Sequence, residues 1–290
     1  MKSGVGIFLA VFVAIGLSWG GFVLAPQWQL GRAKLEPVLN SAATYPLPPT
    51  GAAALGLQVY RANGCAACHT EQVRQTGVAY EVVLTSLGGQ PPEDFIPFVQ
   101  SLLPVVKELA PFTNAINASL QNWKGDLPKV LFACQDKTVG DGMVNRFKSL
   151  GIKAEMRVAA TGPDIARGWG NRRSVAADFL YAQPVQLGSL RVGPDLADYG
   201  SRAPGMALVL QRLYAPRSVM PDSTMPAFRS LFAVQKIQGR PSLDALKLPP
   251  KFAPAANYEI VPTPEALQLA AYLLSLQANA PLYEAPFSPP

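Results

Sequence analysis

One uninterrupted apolar pattern opens the chain. Between Lys2 and Arg32 no residue is charged, and residues 5–16 (VGIFLAVFVAIG) followed by 17–25 supply the roughly 20 apolar residues that a helix needs to cross a bilayer. Trp19 and Trp28 suit the membrane–water interface. A cleaved signal peptide is the competing reading, but its apolar region usually runs only about 7–15 residues, and residues 22–26 (FVLAP) make a poor cleavage site. The pattern predicts a membrane anchor over residues 1–30.

Shorter periods follow. Residues 56–60 (GLQVY) are apolar at helical spacing and lead into the segment 64–69. Residues 80–86 (YEVVLTS) read as a strand, 91–109 and 112–123 as helices around Pro104, and 129–134 (KVLFAC) as a short strand or turn. Residues 139–150 form an amphipathic helix with Met143, Val144, Phe147 and Leu150 inward, and 154–158 a last strand. The order β-α-α-(β)-α-β sets residues 78–160 apart as a small α+β unit inserted between a first part, 31–77, and a second part, 161–290. The closing helix, 264–277 (PEALQLAAYLLSLQ), begins on a proline and carries Leu267, Ala270, Ala271 and Leu274 on one face. That face is expected to pack across the helix before residue 64.

Composition narrows the chemistry. Of 290 residues 28 are proline, and 15% are charged against a typical quarter, so turn-rich stretches surround the cores. The apolar share, 49%, excludes disorder over the whole chain. The net charge of +6 fits an acidic partner or a membrane surface, but no run of Lys and Arg favours nucleic acid. Three cysteines and one histidine exclude a disulfide scaffold, a multi-histidine zinc site and any catalytic pair of histidines.

Residues 64–69 read Gly64-Cys65-Ala66-Ala67-Cys68-His69, the C-x-x-C-H pattern of covalent haem attachment. Two thiols about a helical turn apart can add to the two vinyl groups of one haem, and the next residue's imidazole then faces the iron. A redox C-x-x-C would not need His69, and a zinc site would need more ligands than Cys134 could add. Haem c is attached outside the cytoplasm, so the motif orients the anchor with its N-terminus inside.

With no second histidine, methionine is the expected sixth ligand, and it raises the potential. The proline-braced loop 218–228 (SVMPDSTMPAF) holds two candidates. Met225, followed by Pro226 and Phe228, is chosen over Met220, which would otherwise be a core or pocket-wall residue. Met206, inside a predicted helix, is expected in the core. The loop 188–196 (GSLRVGPDL) can pass close over a flat cofactor, and the Pro194 carbonyl can accept a hydrogen bond from His69. Cys134, in an apolar run, reads as an inert buried thiol, with a regulatory thiol as the minor alternative.

Three stretches carry a resemblance: 60–74 (YRANGCAACHTEQVR), 188–200 (GSLRVGPDLADYG) and 213–228 (LYAPRSVMPDSTMPAF), together with 168–181 (GWGNRRSVAADFLY). They resemble the mono-haem cytochrome c subunit, subunit II, of cbb3-type cytochrome c oxidase. The resemblance implies a mainly α protein: an N-terminal transmembrane helix and a class I-like cytochrome c domain, interrupted by the small α+β insert. It implies one covalent haem c with Cys65 and Cys68 as thioether residues and His69 and Met225 as axial ligands. Gln72 and Arg74 would lie beside the haem, with Arg74 and Arg191 as candidate partners of its propionates or plain surface charges. The departures are the absence of histidine from 204–212 (PGMALVLQR) and the long insert. The insert itself resembles the C-terminal domain of the bacterial ribosomal stalk protein, carried by 82–89 (VVLTSLGG), 127–129 (LPK) and 146–158 (RFKSLGIKAEMRV). Outside the cytoplasm only that fold would carry over, with protein docking or a plain spacer as its use.

The functional expectation is an electron-transfer subunit without oxygen chemistry of its own. It would sit in a bacterial inner membrane with the haem domain in the periplasm. It would take electrons from a soluble cytochrome c or similar donor and pass them to the haem–copper oxidase catalytic subunit, beside other oxidase subunits. The alternatives are a free-standing membrane-tethered carrier or dehydrogenase cytochrome subunit, and a haem-based binding or sensing module.

Overall fold

The computed structural model describes residues 3–30 and 34–285. Lys2 and Arg32, which bear on the orientation of the anchor, lie outside the described residues. Helix α1 (Ser3–Trp19) runs through a π-helical stretch (Gly20–Leu24) into α2 (Ala25–Leu30). Residues Gly4–Gln29 form one 26-residue helical run long and apolar enough to cross a membrane. At about 1.5 Å per residue it spans about 39 Å, more than the roughly 30 Å of bilayer hydrocarbon.

The chain divides into two compact units. One comprises residues up to Gln72 together with Ser174–Leu282, and the other Val73–Arg173 with the residues after Leu282. The first unit begins with a minimal antiparallel pair, β1 (Glu36–Pro37) and β2 (Thr44–Tyr45), and then helix α3 (Gly51–Ala62).

The second unit follows in sequence: β3 (Gly77–Ser86), α4 (Pro92–Leu102), α5 (Thr113–Leu120), β4 (Lys129–Cys134), α6 (Lys137–Ser149), β5 (Lys153–Thr161) and a short turn of helix, α7 (Pro163–Ala166). Its three strands form an antiparallel sheet in the order β4-β3-β5. Val82, Leu84, Leu131 and Phe132 from the sheet bury against Phe95, Ile116 and Phe147 from the helices. The helix expected over 91–109 ends at Leu102: Leu103 keeps a helical backbone, but Pro104 after it has no amide to continue the hydrogen-bond ladder. The chain resumes as a 3-10 turn from Lys107 to Phe112. Cys134 is buried, its thiol 3.2 Å from the Asp136 carbonyl, and burial raises its pKa.

The chain then returns to the first unit with α8 (Tyr199–Arg202), α9 (Met206–Tyr214), α10 (Pro216–Val219), β6 (Phe232–Lys236), β7 (Tyr258–Pro262) and α11 (Pro264–Ser275). The core forms where α11 crosses α3. Gly56 makes the crossing possible, because a Cβ there would lie 1.9 Å from the Gln268 carbonyl oxygen. Tyr60 packs against Tyr272 with the rings tilted by 59° and their centroids 5.2 Å apart, and Val209, Leu213, Ile260 and Leu269 complete the cluster.

Three expectations are corrected. The protein is mixed helix and sheet rather than mainly α: the insert is built on a sheet, and β6 and β7 add an antiparallel pair in the first unit. On α11 the buried face is Ala266, Leu269, Ala270 and Leu273, with Tyr272, while Leu267 is exposed. The small residues take the crossing and Tyr272 turns in to meet a carboxylate. Met206, expected in the core, is 37% exposed because it is the first residue of α9.

Candidate haem site

Helix α3 delivers the motif. Its end is closed by Asn63, whose side-chain amide donates to the Val59 carbonyl at 2.9 Å. A 3-10 turn then covers Cys65–Ala67, and the His69 amide donates to the Cys65 carbonyl at 3.0 Å. Cys65, Cys68 and His69 thus stand at the i, i+3 and i+4 positions of one turn, the spacing that brings side chains together. All three cysteines are free thiols, and burial pushes the Cys65 thiol up to about 11.

A second stretch clasps this turn, backbone to backbone. The amides of Ser189 and Leu190 donate to the carbonyls of Ala66 and Ala67, each at 3.1 Å, and Gly193 donates to Cys68 at 2.9 Å. Further on, Leu196 donates to Thr70 at 2.7 Å, and Glu71 donates to Gln186 at 3.0 Å. The approach is close enough to require glycine twice. Gly188 has φ +74, and a Cβ there would lie 2.2 Å from the His69 carbonyl oxygen. At Gly193 a Cβ would fall 2.3 Å from Cε1 of the His69 ring.

The clasp fixes the imidazole. His69 Nδ1 lies 2.9 Å from the Pro194 carbonyl oxygen. A carbonyl only accepts, so Nδ1 carries the proton and Nε2 keeps its lone pair for a metal. Burial lowers the pKa of His69, and the bond to Pro194 opposes that shift. The neutral ring, the form that binds metal, is favoured.

Two polar residues unremarked in the sequence hold the surroundings. Asp195 is fully buried and accepts from the Gln72 amide at 2.8 Å and from the Thr70 hydroxyl. Glu71 accepts from the Tyr272 hydroxyl at 2.8 and 2.9 Å. Burial pushes the Glu71 carboxyl up to about 7, against the pull of Tyr272. Neither residue stands out in the sequence, because the bonds from Asp195 to Thr70 and Gln72 and from Glu71 to Tyr272 join segments far apart in the chain.

Met225 is half-buried, packed with Cys65, Ala66 and Phe228 against one apolar cluster. Its loop is braced: Arg217 Nε donates to the Ser223 carbonyl at 3.3 Å, and the Phe228 amide to the Leu213 carbonyl at 2.9 Å. Met220 is 59% exposed. Of the remaining candidates, Arg191 lies beside the motif and donates to the Gln72 carbonyl at 3.3 Å. Arg74 lies just past the first unit. It belongs to the other unit, where its amide donates to Asp164 at 2.9 Å and its side chain is exposed.

The donor set fits a haem. It offers two thiols for vinyl groups, one imidazole with its far nitrogen free, and one half-buried thioether on a braced loop. Among the described residues no group of three or more His, Cys, Asp or Glu is gathered to hold a bare metal ion, so a porphyrin would have to supply the other ligands.

The model of one protein family, described as cytochrome C oxidase, mono-heme subunit/FixO, matches residues 163–247. The match supports a mono-haem subunit of cytochrome c oxidase. It covers the Pro194 clasp and the methionine loop and leaves residues 65–69 outside. No curated protein matches the chain.

Proposed function

We propose that the protein is a membrane-anchored mono-haem c-type cytochrome that passes electrons from a soluble donor to the catalytic subunit of a cbb3-type haem–copper oxidase. The observation that carries the reading is the bond from His69 to Pro194, which joins a C-x-x-C-H turn to a loop inside the matched segment. The haem, when bound, supplies one-electron transfer. Cys65 and Cys68 would hold it through thioethers, and His69 Nε2 and the Met225 sulfur would be its axial ligands. Pro194 keeps the ring aligned and raises its basicity as a ligand. Gln72 and Arg191 would flank the haem.

The 26-residue apolar run supports anchoring in a bacterial inner membrane. The need to attach haem c outside the cytoplasm supports an N-terminus inside and a periplasmic haem unit. The test is purification from the native membrane in mild detergent, with subunit identification and oxygen uptake. A haem–copper subunit that comes with the chain and consumes oxygen supports the reading. A chain that comes alone, or with a dehydrogenase, replaces it with a tethered carrier.

A further inference from the structure

Asp195 follows directly on Pro194 in the clasp. It is fully buried, and its acceptors serve both strands of the clasp. Oδ2 takes the Gln72 amide at 2.8 Å and the Thr70 hydroxyl, from the segment that follows His69. Oδ1 takes the Ala197 amide at 2.9 Å, from the segment that follows Pro194. The main-chain carbonyl of Asp195 accepts from the Arg202 guanidinium. Pro194 is the preceding residue, so these bonds determine where its carbonyl stands relative to His69 Nδ1.

We propose that Asp195 is a positioning residue for the axial imidazole: its buried carboxylate ties Thr70 and Gln72 to Ala197, holds the Pro194 carbonyl on His69 Nδ1, and places a fixed negative charge beside the iron's histidine. The inference rests on the haem c reading. Its physical basis is simple. An apolar replacement would strand the buried Ala197 amide and Thr70 hydroxyl and the half-buried Gln72 amide, which are costly to leave unpaired. A buried negative charge near the iron also favours the oxidised form, because charges interact strongly where water is excluded.

The experiment uses the full chain, haem-loaded, in detergent, as wild type and as three variants. The wild type is first tested for covalent haem and a low-spin spectrum; failure there removes the haem reading itself. Asp195→Asn keeps the shape but removes the charge and one acceptor. Thr70→Val removes one hydrogen bond and no charge. Asp178→Asn is the control, a carboxylate of the same unit that holds the Tyr45 hydroxyl at 2.7 Å and the Val175 amide at 2.8 Å.

In Asp195→Asn the reduction potential should rise, and exchange of the His69 Nδ1 proton in the reduced state should accelerate on the order of tenfold, as for loss of about one hydrogen bond. Thr70→Val should accelerate that exchange with little change of potential, and Asp178→Asn should alter neither. If Asp195→Asn retains haem with unchanged potential and unchanged proton exchange, the inference is wrong. If Asp195→Asn does not accumulate, Thr70→Val decides through the proton exchange alone. Equal shifts in Asp178→Asn would also overturn it, because they would show a general response of the unit.

Discussion

Replacing Gly56 by alanine puts the packing of the unit that carries the C-x-x-C-H turn to a quantitative test. A Cβ at this position would lie 1.9 Å from the Gln268 carbonyl oxygen, 2.5 Å from its carbon and 2.7 Å from Tyr272 Cβ. Ordinary contact begins at 3.4 Å, so α3 and α11 must part by 3.4 − 1.9 = 1.5 Å. The obstacle is backbone and cannot rotate away. Forced overpacking typically costs about 1–3 kcal/mol, and a gap of about 0.5–1 Å already forfeits a quarter to a half of the dispersion well for the atoms along the seam. Alanine returns about 1 kcal/mol of helix propensity. Since the required displacement exceeds such a gap, the upper part of the cost applies, and the net loss is about 2 kcal/mol. For a unit of this size that lowers the melting temperature by roughly 4–8 °C. The assay is thermal unfolding of the detergent-solubilised protein, followed by the near-ultraviolet signal of the packed tyrosines. Gly142→Ala is the control, because nothing lies within 4 Å of its Cβ position. A Gly56→Ala protein that melts at or above the wild-type temperature would refute the close crossing.

Three further outcomes are expected. Gly193→Ala drives a methyl group into the His69 ring and should convert a low-spin ferric spectrum to a mixed- or high-spin one; an unchanged low-spin spectrum would show that the loop does not pack on the ring. Met225→Ala should leave haem attached while lowering the reduction potential, since a thioether ligand raises it; an unchanged potential, measured by redox titration, would remove Met225 as ligand. Glu259 accepts from Gln235 at 2.8 Å and from the Ser242 amide at 2.7 Å, and these bonds hold its carboxyl below the usual range. A depressed pKa stabilises the folded state above the ordinary carboxylate range and loses that contribution as pH falls through the folded-state value. Proteolysis within 237–257 should therefore accelerate on acidification, and Glu259→Gln should be cut faster than wild type at neutral pH; equal cutting at neutral pH would mean the clamp does not hold the segment.

Elements with a strong period were legible in the sequence. The amphipathic run at 139–150 corresponds to α6 at Lys137–Ser149, and the closing helix begins at Pro264, capped by Thr263. The strand read at 80–86 belongs to a longer one, Gly77–Ser86, because Val78 and Ala79 continue the ladder with β5. Strands β6 and β7 were not read. Their connection runs through the proline-rich segment 237–257, and only the Glu259 clamp and pairing across that distance reveal them. The face of α11 was read a residue off because apolar spacing cannot tell which of two adjacent stripes meets Gly56. The haem motif and the Pro194 loop were visible as local patterns. Asp195, Glu71 and Tyr272 were not, since the bonds from Asp195 to Thr70 and from Glu71 to Tyr272 each join residues more than 100 apart in the chain.

The central claim is that Cys65 and Cys68 carry one haem held on His69. Its most direct test is the intact mass of the denatured chain, purified from a host that attaches haem c in its periplasm, with a Cys65→Ala, Cys68→Ala double variant alongside. The account predicts a wild-type mass equal to the chain plus one haem, retained through denaturation and absent from the double variant. A wild-type chain at its bare polypeptide mass, after export and in the presence of the attachment machinery, would contradict it.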